Sequence, residues 1–222
     1  MRRRHFLTVT CGGLLIYSLS GRPTLLKAQN GAVRVPLRFF TEQEAQTATA
    51  AVARIFPLDE SGPGAKEAGV VIYIDRQLGS AYGKDKYRYR AEPFVDGPVE
   101  LGYQGPLTPR EIYRQGLSGL RPFETLPLAD QDARLRAIEK TAFFELLRRH
   151  TIEGMFCDPM HGGNVDKIGW QLIGFPGPHM SYLGDVDTHH GEAFRPKPLS
   201  LAEVMGRKVR PSEDEPENGG AA

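Results

Sequence analysis

The chain has 222 residues, of which 25% are charged and 40% hydrophobic, with a net charge of +1. That balance excludes wholesale disorder, and with no basic block beyond the extreme N-terminus it excludes an ordinary nucleic-acid binder. Two cysteines, Cys11 and Cys157, exclude a disulfide framework and a cysteine-rich metal or cluster site. The 25 glycines and 17 prolines exceed the usual share of about 12%, so much of the chain is loop.

The N-terminus reads as an export signal. A cationic start, Arg2-Arg3-Arg4, precedes an uncharged apolar stretch over 7–19. That stretch is shorter than the ~20 residues a membrane span needs and fits a secretory h-region. Arg3, Arg4, Phe6 and Leu7 match the twin-arginine pattern, and Thr8, Thr10, Gly12, Gly13 and Ser18 dilute the stretch as twin-arginine signals tolerate. An ordinary secretory signal is the alternative. The segment 1–28 is assigned to signal and cleavage region, with cleavage after Ser20 or Ala28. Since the twin-arginine route carries folded cargo, and nothing further along reads as a cofactor site, the signal points to a partner.

Thr41 and Glu44 form a helix-starting capping box. Ala45, Ala48, Val52, Ile55 and Phe56 then recur at helical spacing until Pro57. After the turn residues of 58–64, a second helix is expected from 65 to about 78, burying Val70, Val71, Ile74 and Leu78. Its β-branched run, Val70-Val71-Ile72, also suits a strand. No helical period marks 79–107, although Tyr87-Arg88-Tyr89-Arg90 alternates and fits a short extended piece, the rest being a long ordered loop. Such a long ordered loop is uncommon without a function or a partner. Thr108-Pro109-Arg110-Glu111 starts a third helix, ending near Gly119. The stretch 128–147 reads as one helix, or two with a break near Thr141, continuing to end by Gly154.

Composition then shifts: 18 of the 69 residues from 154 to 222 are Gly or Pro, yet Met155, Phe156, Trp170, Phe175 and other apolar residues are scattered among them. They need a surface to bury against, on this chain or on another. The fold expected is mainly α. A small helical domain of four to five helices with long ordered loops spans 38–153, a Gly/Pro-rich partner-binding arm spans 154–210, and a disordered acidic tail follows over 211–222.

The densest segment runs from His150 to Asn164. His150, Cys157, Asp158 and His161 have no ordinary zinc spacing. A Cys157–His161 nucleophile pair lacks a visible third group. The favoured reading has Gly154, Gly162 and Gly163 setting a tight path while Met155, Phe156 and Met160 pack into a neighbour. Asp185, Asp187, His189 and His190 form a second cluster, read as a solvated turn. No dinucleotide fingerprint, P-loop or nucleophile elbow occurs.

These residues resemble the gluconate 2-dehydrogenase subunit 3 family from about 40 to 177. The resemblance rests on Phe40-Thr41-Glu42-Gln43-Glu44, Arg54-Ile55-Phe56-Pro57, Gly62-Pro63-Gly64-Ala65, Pro106-Leu107-Thr108-Pro109 and His150-Thr151-Ile152-Glu153-Gly154-Met155-Phe156. Its most specific piece is Cys157-Asp158-Pro159-Met160-His161-Gly162-Gly163-Asn164, followed by Lys167-Ile168-Gly169-Trp170 and Gly174-Phe175-Pro176-Gly177.

The resemblance implies a non-catalytic subunit with no cofactor of its own. Its partner would be a large dehydrogenase of the glucose–methanol–choline (GMC) type that holds FAD. A multihaem cytochrome c subunit often completes such a complex. This chain would act as escort through the twin-arginine translocase and as maturation factor. The complex would be periplasmic, reaching the membrane only through its other subunits.

On that reading Met155, Phe156, Cys157, Met160, His161, Trp170 and Phe175 are expected at the partner interface. Cleavage leaves Cys157 as a lone exported cysteine, open to an intersubunit disulfide, a buried thiol or a metal ligand. Two rivals remain: a metal-dependent periplasmic enzyme using His150, Cys157 and His161, and a stand-alone sugar-binding protein.

Overall fold

The computed structural model describes residues 36–95, 97–179 and 181–206, and before them two short strands, β1 (Leu15–Tyr17) and β2 (Pro23–Leu25), paired antiparallel with Leu15 opposite Leu25. The strands belong to a unit of their own within 1–36, and the chain from Leu37 onward forms a second unit. The strand pair lies inside the segment read as a signal, where no strand was expected. Arg3, Arg4, Phe6 and Leu7, and the tail 211–222, lie outside the described residues.

The second unit is helical. Helix α1 (Glu42–Ile55) opens with the expected capping box: Glu44 N–H donates to Thr41 Oγ1, and Thr41 N–H donates to the Glu44 carboxylate. Its Ala48, Ala51 and Val52 are fully buried. Helix α2 (Val70–Gly79) starts five residues later than the periodicity predicts. The cause is Gly69, held at φ 68, a left-handed conformation that glycine adopts without steric cost. The preceding 65–69 stretch is therefore a turn, pinned by Ala65 N–H donating to Phe56 O at 2.9 Å. The β-branched run is helical, because Val70, Ile74 and Leu78, at helical spacing, are fully buried on one face of α2.

Helix α3 (Pro109–Leu120) opens with the Thr108–Glu111 capping box and Pro109 in its first turn. The stretch after 128 is two helices, α4 (Leu128–Ala137) and α5 (Ala142–Phe156), broken where Thr141 caps α5 by accepting from Phe144 N–H. Helix α5 is the central element: α1, α2 and α3 pack around it. Tyr113, Phe123, Ile74, Leu78, Leu117, Leu147 and Met155 form the buried centre.

The arm does not extend away from this bundle. Helix α6 (Ile168–Ile173) packs against α5, and α7 (Leu183–Thr188) and α8 (Leu201–Val204) follow. The chain doubles back where Leu199 N–H donates to Pro176 O at 3.1 Å. Two further bonds hold α8: Leu201 N–H donates to Asp158 Oδ2 at 2.7 Å, and Lys167 Nζ pairs with Glu203 at 2.8 Å. Between these points, 178–198 forms an excursion whose Tyr182, Leu183 and Val186 face solvent.

Candidate functional site

The residues expected to carry function converge on the carboxyl end of α5. The last carbonyls of any helix lack intrahelical partners. Here the chain after the helix returns to supply them. Trp170 Nε1 donates to Phe156 O at 2.7 Å, and Asn164 Nδ2 donates to Cys157 O at 2.8 Å. Asn164 is fully buried in the left-handed region at φ 48, and its Oδ1 accepts from Gly169 N–H at 2.8 Å. The backbones approach so closely that a Cβ at Gly163 would lie 2.1 Å from Gly154 O. The run Gly163-Asn164 through Gly169-Trp170 is thus a cap built onto this chain's own helix.

Two expectations are corrected by this geometry. Met155 is fully buried and Trp170 is 4% exposed; both were assigned to the partner interface, and both are buried in this chain's own interior. The reason is the return of the chain after α5, which brings Trp170 under Phe156. Phe175 stacks edge-on against Trp170 at 5.2 Å and remains 39% exposed; Met160 is 59% exposed.

Phe156, Cys157 and His161 come together in one open cleft of about 410 Å3, completed by Tyr73, Gln77, Ile152 and Glu153. Tyr73 Oη donates to Glu153 Oε2 at 2.9 Å, and its hydroxyl is pushed well above the usual tyrosine range by burial and by that carboxylate. Cys157 is half-buried, with Sγ 3.6 Å from Gly154 O. Burial raises the thiol's pKa, partly offset by the Gly163 backbone N–H, so the thiol is protonated at neutral pH and its nucleophilicity is low. Tyr73 and Gln77 escaped sequence reasoning and Glu153 was given no role, since Tyr73 and Glu153 are 80 positions apart and only the packing of α2 on α5 brings them together.

His150 lies elsewhere. It is buried, with Nδ1 2.9 Å from Tyr113 Oη and Nε2 2.9 Å from Tyr82 Oη. One tyrosine accepts from the imidazole N–H and the other donates to the bare nitrogen, so both ring nitrogens are occupied. Burial, aided by the nearby Arg149 charge, lowers its pKa to about 3. His150 does not join Cys157 and His161 in one ligand set. Among the described residues no three His, Cys, Asp or Glu side chains converge as a metal requires. In the second cluster His189 instead stacks on Phe194 at 3.8 Å. Among the described residues no helix is long and apolar enough to cross a membrane.

Comparison with known proteins agrees with the motif reading. The family model described as gluconate 2-dehydrogenase subunit 3 matches residues 42–177, from the first turn of α1 to the turn after α6, cap and cleft included. No curated protein and no solved structure matches the chain. With more than half of its length matched, the chain belongs to the gluconate 2-dehydrogenase subunit 3 family.

Proposed function

We propose that this chain is the non-catalytic small subunit of a periplasmic, FAD-dependent dehydrogenase of the GMC type, acting on a sugar or polyol. In this reading FAD and the reacting groups lie on the large subunit. A multihaem cytochrome c forms a third subunit where one is present. The chain escorts the folded large subunit through the twin-arginine translocase, guided by Arg3 and Arg4, and afterwards stabilises it.

The observation that carries this reading is the family match over 42–177, which ends where the solvent-facing excursion 178–198 begins. The solvent-facing part of the expected interface is Phe156, Cys157, Met160, His161 and Phe175. Cys157 at the cleft wall is the donor proposed for an intersubunit disulfide.

The test is co-expression of this chain, tagged, with its large subunit. The reading expects a yellow complex that retains FAD and dehydrogenase activity, with a band at the summed mass on a non-reducing gel that disappears with Cys157→Ser. A large subunit that matures, leaves the cytoplasm and works without this chain would contradict the reading. Turnover or stoichiometric metal in this chain alone would favour the enzyme alternative.

A further inference from the structure

The 80–107 loop contains an inverted strip. The chain is turn through Tyr87 and bends at Arg88, so which way each side chain faces is read from its exposure and its bonds; the usual arrangement turns aromatics inward and charges outward. Along Tyr87-Arg88-Tyr89-Arg90 the order is reversed. Arg88 points inward: Nε donates to Asp85 Oδ2 at 2.6 Å, Nη1 to Gly105 O at 2.9 Å and Nη2 to Leu107 O at 3.1 Å. Arg90 donates to Pro106 O and lies 3.9 Å from Glu111. Tyr87 and Tyr89 point outward, 81% and 88% exposed. Arginine is used inward because its fork of donors meets a carboxylate and several carbonyls at once.

Two guanidiniums thus lock the base of the loop and hold two phenol rings in water. A loop pinned at its base loses little freedom on docking, and tyrosine is among the residues that dominate binding energy at interfaces. Two further side chains give the strip a sign. Lys84 and Lys86 are exposed, and neither has an ion-pair partner among the described residues. Lys86 Nζ lies 5.7 Å above the Tyr87 ring. Asp85, the acid between them, is already committed to Arg88.

We infer that the strip 84–90 is a docking surface for the large subunit, whose matching face carries carboxylates opposite Lys84 and Lys86 and recesses for the rings of Tyr87 and Tyr89. This rests on the proposed function and assigns its partner to a surface that the motif residues around Cys157 do not include. A protein fits better than an anionic lipid surface: lipid recognition uses clusters of about four to eight cations, whereas the strip offers two free ones and Glu92 and Glu100 follow within the same loop.

The experiment compares three full-length small subunits for binding to the purified large subunit: wild type, Tyr87→Ser/Tyr89→Ser and Lys84→Glu/Lys86→Glu. The tyrosine pair is expected to weaken binding about 30-fold. The lysine pair is expected to weaken it about tenfold and to flatten its salt dependence. The unfolding midpoint of each variant should match wild type, since neither phenol bonds to the helices. Wild-type binding with both variants binding equally overturns the strip alone. Failure of wild type to bind overturns the underlying function and the strip with it. Sedimentation of wild type with phosphatidylglycerol vesicles, lost in both variants, assigns the strip to lipid and overturns the protein partner.

Discussion

The indole N–H of Trp170 donates to the carbonyl oxygen of Phe156 across 2.7 Å, which fastens α6 to the end of α5 and turns a glycine-rich arm into part of the fold. Trp170 therefore acts on this chain's own stability before it acts on any partner. Trp170→Ala is expected to cost roughly 3–5 kcal/mol from lost burial. It also leaves a helix-terminal carbonyl unpaired, a further ~1 kcal/mol or more. Urea unfolding of the small subunit alone reads this directly. A midpoint unchanged from wild type would place Trp170 back at the subunit interface.

Asn164 makes the companion contact, bonding Cys157 O and Gly169 N–H from a buried, left-handed position. Asn164→Ala removes both partners and keeps the strained backbone. An expected loss of about 2–4 kcal/mol follows from two unsatisfied buried groups, the left-handed strain being common to wild type and variant. Asn164→Gly relieves the strain but not the lost bonds, so its loss should be smaller. Equal losses in the two variants would refute the backbone part of the argument.

His150 gives the chain a pH dependence. Its pKa is lowered from 6.5 to about 3 by burial between Tyr82 and Tyr113. Below pH 6.5 the unfolded chain takes up a proton that the folded chain refuses, so stability is fully present above pH 6.5 and declines as pH falls toward 3. At pH 5, largely above the range where the lowered carboxylates Glu44, Asp132 and Glu203 titrate, the loss relative to pH 7.5 is about 2 kcal/mol. His150→Gln should flatten the profile over that interval while lowering stability throughout. A wild-type profile already flat between pH 7.5 and 5 would contradict the assigned burial.

How far the sequence reached is clearest at particular residues. The caps at Thr41–Glu44 and Thr108–Glu111 were legible because a capping box is local: four residues contain both partners. The start of α2 was misplaced because periodicity does not register one glycine at φ 68. In the segment around Cys157, Met155 and Trp170 were assigned to a partner, whereas both are buried within this chain. The reason is physical: Asn164 reaches back seven residues and Trp170 fourteen to α5's final carbonyls, and no spacing rule distinguishes packing on one's own helix from packing on a neighbour. The alternation at Tyr87–Arg90 was visible, whereas its inversion depends on the Gly105 and Leu107 carbonyls.

Cys157 in the uncomplexed chain is expected to react slowly. Its thiol is half-buried, with a raised pKa. Iodoacetamide at pH 8 should label it at least about tenfold more slowly than the urea-unfolded chain, since only the thiolate attacks. Equal rates would show that the cleft wall does not shield the sulfur.

The central claim is that this chain carries its partner out of the cytoplasm, and one measurement addresses it most directly: dehydrogenase activity in the periplasmic fraction of cells co-expressing the large subunit with wild-type chain or with Arg3→Lys/Arg4→Lys. The account predicts that the double variant leaves both subunits and the activity in the cytoplasm. Full periplasmic activity with the variant would contradict it.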